Sequence, residues 1–141
     1  MEFAGMNYYA IPLAALASFM FGAVWYGVLS KPWLEAVGKT EADIKAASEG
    51  YPIPPAFVIA IVSQLIMAWV LAGLIGHLGQ NQVTVSNGLI SAAFVWVGFV
   101  VTTQATNYGF QGQKFKLTVI DSGHWLGVLF IQGLIIGSFG V

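Results

Sequence analysis

Apolar residues run along this chain in four long segments that short polar segments separate. The apolar segments cover about residues 8–29, 56–78, 83–108 and 117–139. A helix needs about 20 apolar residues to cross the hydrocarbon of a bilayer, and each segment is longer than that. The pattern therefore predicts an all-α fold, a four-helix transmembrane bundle, with residues 1–141 forming a single integral membrane domain.

Most of the charged residues lie in the longest polar segment, 30–55. Thr40 followed three residues later by Asp43 is typical of a capping box, which favours a helix over residues 41–48. The closely spaced prolines of residues 52–55 cannot continue that helix. The segment therefore predicts a short amphipathic helix, on the cytoplasmic surface, between the first and second spans.

The lysines indicate the orientation of the four spans. All five fall in the two polar segments on one side of the predicted bundle, while the termini and the 79–82 turn fall on the other side. Positively charged residues in short loops mark the cytoplasmic face, so both termini are predicted to lie outside. The lysines are Lys31, Lys39, Lys45, Lys114 and Lys116.

The composition supports a membrane protein and excludes several functions. Only 8% of the residues are charged and the mean hydropathy is +0.79, whereas soluble domains carry about 25% charged residues. Without a basic cluster or any arginine, nucleic-acid binding is not expected. There is no cysteine, and no motif of paired carboxylates, nucleophile or phosphate loop is found. We therefore expect no enzymatic activity and no metal site.

Asp121 is the only acidic residue of the fourth apolar segment. It lies about five residues past Lys116, or roughly 7–8 Å below the membrane boundary at 1.5 Å per residue. An ionisable group inside a membrane span is by default a candidate functional residue. Several polar residues of the other spans are predicted at a comparable depth, so we expect a cytoplasmic-facing polar pocket. Its predicted members are Asp121, Asn107, His124, Thr103, Gln104, Gln64 and Tyr26.

Two interpretations of this pocket remain open. Asp121 and His124 are three residues apart, so on a helix their side chains can meet, and such a pair can bind or relay a proton or bind a cation. Alternatively, Asp121 is a structural clasp that joins the third and fourth helices, and it is either neutral or hydrogen-bonded to Asn107, Thr103 and a lysine. The sequence requires no cofactor, and it leaves open a pigment or haem bound by His124 or by His77.

The fourth segment also carries a small-residue face. At 100° per residue, Asp121 and Gln132 lie on nearly one line, and a row of glycines lies roughly opposite. Two Gly-x-x-x-Gly pairs in this row suit close helix packing. Because four helices satisfy only part of these two faces, the sequence predicts association with another chain. The glycines are Gly123, Gly127, Gly133 and Gly137.

We therefore expect a small membrane protein that acts within an assembly, with the lipid bilayer and itself or other membrane subunits as its partners. The assembly is a homo-oligomer, or a larger membrane complex of which the chain is an accessory subunit. The alternative function is a transporter, channel or sensor for a small solute, ion or proton, with Asp121 as the titrating or cation-binding group.

Three short motifs resemble a known family. They are Trp25-Tyr26 with Leu29 and Trp33, then Asn107-Tyr108-x-Phe110, then Lys114, Leu117 and Ile120-Asp121-x-Gly123. In these positions the chain is similar to small bacterial four-helix integral membrane proteins catalogued as a domain of unknown function. The resemblance covers nearly the whole chain. It implies a four-helix fold in the bacterial inner membrane, carries over Asn107 and Asp121, and adds no activity or cofactor.

Overall fold

The computed structural model describes residues 2–141 as a bundle of helices, and the predicted all-α fold class is confirmed. Four helical stretches are long and apolar enough to cross a membrane. The third of them, Val85–Phe110, contains a π-helical segment at Trp96–Val101. The α-helices are α1 (Ala10–Val28), α2 (Ser30–Val37), α3 (Glu41–Ala47), α4 (Pro55–Gly76), α5 (Val85–Val95), α6 (Thr102–Phe110) and α7 (Phe115–Phe139).

The connector between the first and second spans holds two short helices where one was predicted. The predicted helix is α3, and its capping box is present: Thr40 Oγ1 accepts from Asp43 N (3.2 Å) and Asp43 Oδ2 accepts from Thr40 N (2.9 Å). The additional helix is α2, which follows α1 after a bend at Leu29. Pro32 lies in the first turn of α2, where the missing N–H removes no helical hydrogen bond. Helix α2 packs against α7.

Helix α7 is the central element of the bundle. It packs against α1 on one side and against α5 on another, and half of its membrane window is buried, compared with 11% for the third span. Leu129 and Ile136 of α7 lie in the hydrophobic core with Leu71 and Ile75 of α4. The fourth span therefore organises the other three.

The glycines of α7 explain how the neighbouring helices approach so closely. A Cβ on Gly133 would clash with the carbonyl oxygen of Gly88, and one on Gly137 would clash with that of Thr84. A Cβ on Gly123 or Gly127 would press against the aromatic rings of α1. The prediction that this face is left over for another chain is therefore wrong, because packing within the chain already uses it.

Both termini lie at the same end of the bundle as the turn after α4. The N–H of Ala4 donates to the carbonyl of Gly76 (3.0 Å), and the ring of Phe3 lies 4.7 Å from that of His77. The connectors that carry the lysines lie at the opposite end. This separation agrees with the topology from which the orientation was predicted, and the placement of the lysine end in the cytoplasm stays a prediction.

Candidate functional site

The carboxylate of Asp121 lies at the lysine-bearing end of the bundle and is held by three aromatic side chains. Its Oδ1 accepts from the hydroxyl of Tyr26 (2.7 Å) and from the indole N–H of Trp33 (3.1 Å). Its Oδ2 accepts from the hydroxyl of Tyr108 (2.6 Å). Asp121 is 7% exposed. One side chain of α7 is thus tied to α1, α2 and α6 together.

Two further indole donors hold the backbone on either side of Asp121. Trp25 Nε1 on α1 donates to the carbonyl of Ile120 (3.0 Å), and Trp96 Nε1 on the third span donates to the carbonyl of Ser122 (2.7 Å). These contacts fix the height and rotation of this turn of α7 relative to its neighbours. The carboxylate is therefore positioned by its backbone as well as by its own hydrogen bonds.

The donors around Asp121 are all neutral. An ionised carboxylate only accepts hydrogen bonds, and three donors match that requirement. The nearest cationic groups in sequence point elsewhere: Lys116 Nζ pairs with Glu35 Oε2 (3.4 Å), and Lys114 Nζ lies 3.4 Å from the carbonyl oxygen of Glu35. Within residues 2–141, the site is a carboxylate whose bonded partners carry no compensating positive charge.

His124 lies one turn from Asp121, inside a group of aromatic rings. It is 5% exposed, and its Nδ1 is buried and makes no hydrogen bond within residues 2–141. Its ring centre lies 4.9 Å from that of Tyr26 and 4.7 Å from that of Trp125. A Cβ on Gly22 would stand 2.7 Å from His124 Nε2, so the glycine provides the space that the imidazole occupies.

The π-helical segment brings Trp96 and Tyr108 onto the face that meets α7. In an uninterrupted α-helix, residues 12 positions apart point about 120° away from each other. A π turn contains one extra residue, which removes about 100° of this rotation and leaves roughly 20°. Trp96 therefore reaches Ser122 while Tyr108 reaches Asp121. Without the extra residue, Asn107 would take the place of Tyr108.

The structure brings together only some of the predicted pocket residues. Tyr26 bonds Asp121 as part of the site, and His124 lies beside it. Asn107 and Thr103 lie on the exposed outer surface of the third span, and Thr103 donates to the carbonyl of Phe99 (2.6 Å). The prediction that they bond Asp121 is wrong, because the π turn rotates them away from α7.

Gln104 and Gln64 also lie outside the hydrogen-bonding shell of Asp121. Gln104 is half-buried and its Oε1 has no partner within residues 2–141. Gln64 Oε1 accepts from the hydroxyl of Ser18 (2.7 Å), and Gln132 Nε2 donates to that hydroxyl and to the carbonyl of Gln64, both at 3.1 Å. Ser18 precedes Tyr26 by eight residues, so this second cluster lies about 12 Å deeper in the bundle. Gln64 lies nine residues after the start of α4, or about 13–14 Å along the helix, so the prediction that it shares the depth of Asp121 is wrong.

Sequence reasoning missed most of the donors. Only Tyr26 is predicted as a pocket residue. Trp25, Trp33 and Tyr108 are recognised from the sequence only as motif residues, and Trp96 carries no sequence signal. The one signal that could have found Tyr108 is its place in the Asn107-Tyr108-x-Phe110 motif. The arrangement as a whole holds the Asp121 carboxylate in one orientation and places the imidazole of His124 beside it.

A family model described as "Protein of unknown function (DUF1761)" matches residues 9–137. Because the match covers nearly the whole chain, the protein belongs to this family, and the resemblance noted from its motifs is confirmed. Comparisons with curated proteins and with solved structures gave no match. The description of the family assigns no activity, so any function must be argued from the geometry.

Proposed function

We propose that this DUF1761 protein is a non-catalytic membrane subunit that works as an assembly, and that its partner is a second copy of the same chain. In this proposal Asp121 is the clasp that gives the subunit one fixed shape. Because the glycine face of α7 is used within the chain, the proposed contact lies elsewhere, on the third span.

The observation that carries the proposal is a polar groove on the outer surface of the third span. Thr102, Thr103, Thr106 and Asn107 line this open groove, and all four are exposed. Polar side chains within membrane spans normally face the bundle interior or a partner helix, where they hydrogen-bond. The groove is therefore a surface that association in the membrane would bury. We call it the third-span groove.

The hydrogen bonds of the groove show what it offers a partner. The three threonine hydroxyls donate to carbonyls of their own helix, those of Gly98 (2.9 Å), Phe99 (2.6 Å) and Thr102 (2.9 Å). Their oxygens keep the capacity to accept. Asn107 carries both donors and an acceptor. Donors supplied by Asn107 of one subunit thus match acceptors of the groove on another.

Two copies of the chain in one membrane can associate through the same surface. Two copies inserted in the same direction are related by an axis along the membrane normal, so their third spans meet as parallel helices. Asn107 can then pair with its own copy, because an amide is self-complementary. Gly98 and Gly109 flank the groove and have open space where a Cβ would stand, so a second helix can approach closely there.

Single-cysteine cross-linking tests this proposal, and the natural chain contains no cysteine to interfere. Thr102→Cys places a thiol in the groove, and Met20→Cys places one on the exposed face of α1. Each residue lies six positions from a tyrosine that bonds Asp121, so the two thiols lie at matched depth. We expect a covalent dimer from Thr102→Cys and little from Met20→Cys.

Equal cross-linking at both positions would contradict a specific groove contact. A native mass measurement in mild detergent that shows only monomer at high concentration would contradict self-association. Cross-linking of Thr102→Cys to a different subunit in the natural membrane would support the accessory-subunit version instead. In each case a thermal melt of the variants controls for folding.

We also propose, as a second candidate, the sensing or passage of a proton, ion or small solute at Asp121. The favouring observation is the buried carboxylate without a cationic partner, next to a buried imidazole. Passage has less support than sensing, since both carboxylate oxygens are occupied and the buried Val128 separates His124 from the cluster at Gln132 along α7. If Asp121→Asn folds, assembles and supports the same flux in liposomes as the natural chain, the transport role is wrong.

A further inference from the structure

Two buried polar groups lie side by side at the lysine-bearing end of the bundle: a carboxylate without a cationic partner and an imidazole with an unbonded nitrogen. One is the Asp121 carboxylate, bonded only by neutral donors. The other is the imidazole of His124, which is 5% exposed and has a buried Nδ1 without a partner within residues 2–141. Tyr26 joins them, because its hydroxyl bonds Asp121 and its ring lies 4.9 Å from His124.

We propose that His124, with Asp121 beside it, is a proton-binding site. A proton from water adds to the imidazole, no other bond forms or breaks, and the site changes from a net charge of −1 to neutral. The inference deepens the sensing version of the second candidate function and rests on it. It does not depend on assembly through the third-span groove.

Two features around His124 attract an imidazolium, while burial of the ring opposes it. The ring centres of Tyr26 and Trp125 lie 4.9 and 4.7 Å from the imidazole centre, and Phe21 is nearly parallel to it at 6.3 Å. A cation within about 6 Å of an aromatic face gains electrostatic attraction, more so where water is excluded. The carboxylate one turn away adds a direct attraction of opposite charges.

Few other titratable groups surround the pair. From α1 the titratable group is Tyr26, and from α6 it is Tyr108, which faces Asp121. Helix α2 contributes two exposed residues, Lys31 and Glu35, and Glu35 is paired with Lys116. Helices α4 and α5 contain no titratable residue.

Nuclear magnetic resonance of ¹⁵N-labelled imidazole in lipid nanodiscs tests the proposal directly. The chain has two histidines, and His77→Asn leaves His124 as the only imidazole. In the natural chain His77 is a control, since it is exposed and its Nδ1 lies 2.7 Å from the carbonyl oxygen of Gly73. We expect His124 to bind one proton as the pH falls from about 9 to about 4, an interval that extends well to both sides of the usual histidine pKa of about 6.5.

Asp121→Asn in the same background should weaken proton binding at His124 by about tenfold or more, because the neighbouring negative charge is lost. If this variant does not fold, Trp33→Phe replaces it. Trp33→Phe removes one hydrogen-bond donor from the Asp121 carboxylate, so its negative charge is less compensated, and proton binding at His124 should strengthen about threefold or more. A His124 that stays neutral throughout, or an affinity unchanged by the variant used, would overturn the proposal. Loss of flux with proton binding intact would refute only passage.

Discussion

The hydrogen bonds of Asp121 predict an unequal response of its donors to Asp121→Asn. The amide keeps one oxygen, and Trp33 can only donate, so the oxygen must face Trp33 and Tyr26 on the Oδ1 side. The amide nitrogen then faces Tyr108, whose hydroxyl loses its charged acceptor and can instead accept from the amide N–H. Asp121→Asn should therefore replace the bond from Tyr108 to a charged group with a neutral bond, while Trp33 still donates to an oxygen.

The magnitude follows from the bonds that are lost. A hydrogen bond to a charged group contributes about 1.5–3 kcal/mol, so Tyr108→Phe in the natural chain should lower the free energy of unfolding by about that amount. In the Asp121→Asn background the same substitution removes only a neutral hydrogen bond, and its effect should fall to about 0.5–1.5 kcal/mol. Trp33→Phe should still cost about 0.5–1.5 kcal/mol there, because a neutral hydrogen bond remains to be lost.

Reversible unfolding in mixed micelles, followed by circular dichroism, measures these energies in a double-mutant cycle. The coupling between Asp121 and Tyr108 should be at least about 1 kcal/mol, whereas non-interacting residues add within about 0.5 kcal/mol. Additive effects of Asp121→Asn and Tyr108→Phe would refute the clasp.

Four further predictions follow from other parts of the fold. Gly22→Ala brings a Cβ within 2.7 Å of His124 Nε2, so it should displace the imidazole and change its ¹⁵N spectrum, while Gly27→Ala, with open space around it, should not. Gly133→Leu should destabilise the monomer by about 3 kcal/mol or more in the same unfolding assay, since it forces α5 and α7 apart; Gly27→Leu is its control. Deleting Val97 removes the extra residue of the π segment, so the segment becomes regular α-helix, Tyr108 keeps its direction, and the Asp121 clasp should stay intact. Inserting an alanine at the same place should rotate Tyr108 by about 100° and abolish the coupling between Asp121 and Tyr108. Hydrogen bonds from Thr40 hold the pKa of Asp43 below its usual value. The capping box is therefore formed above the unfolded pKa and lost as the pH falls through the folded one. Amide protection in α3, taken relative to the intrinsic exchange rate at each pH, should therefore decrease on acidification, but not in Asp43→Asn.

The fold could be predicted from the sequence because a membrane span is specified by the length and composition of one segment. Helix α3 could be predicted as well, since its capping box is local. Helix α2 was missed because eight residues, SKPWLEAV, are too few to show a periodic pattern. The sequence could not predict which helices pack against the α7 glycines, because a small-residue face indicates close packing but does not identify the neighbouring helix.

The candidate site was predicted less well, and the reason lies in one turn of backbone. Asp121 is identified as the only acidic residue of its apolar segment. On a straight third span, counting at 100° per residue places Asn107 on the same face as Trp96, toward α7. The π segment at Trp96–Val101 adds one residue to that count and puts Tyr108 there instead. Nothing in an apolar run such as WVGFVV marks this change of hydrogen-bond pattern, because side-chain hydropathy is the same in α- and π-helix. The one extra residue thus decides whether a phenol or an amide meets the buried carboxylate. It also leaves Asn107 on the outer surface, so the same turn of backbone both completes the clasp and supplies the third-span groove with its amide.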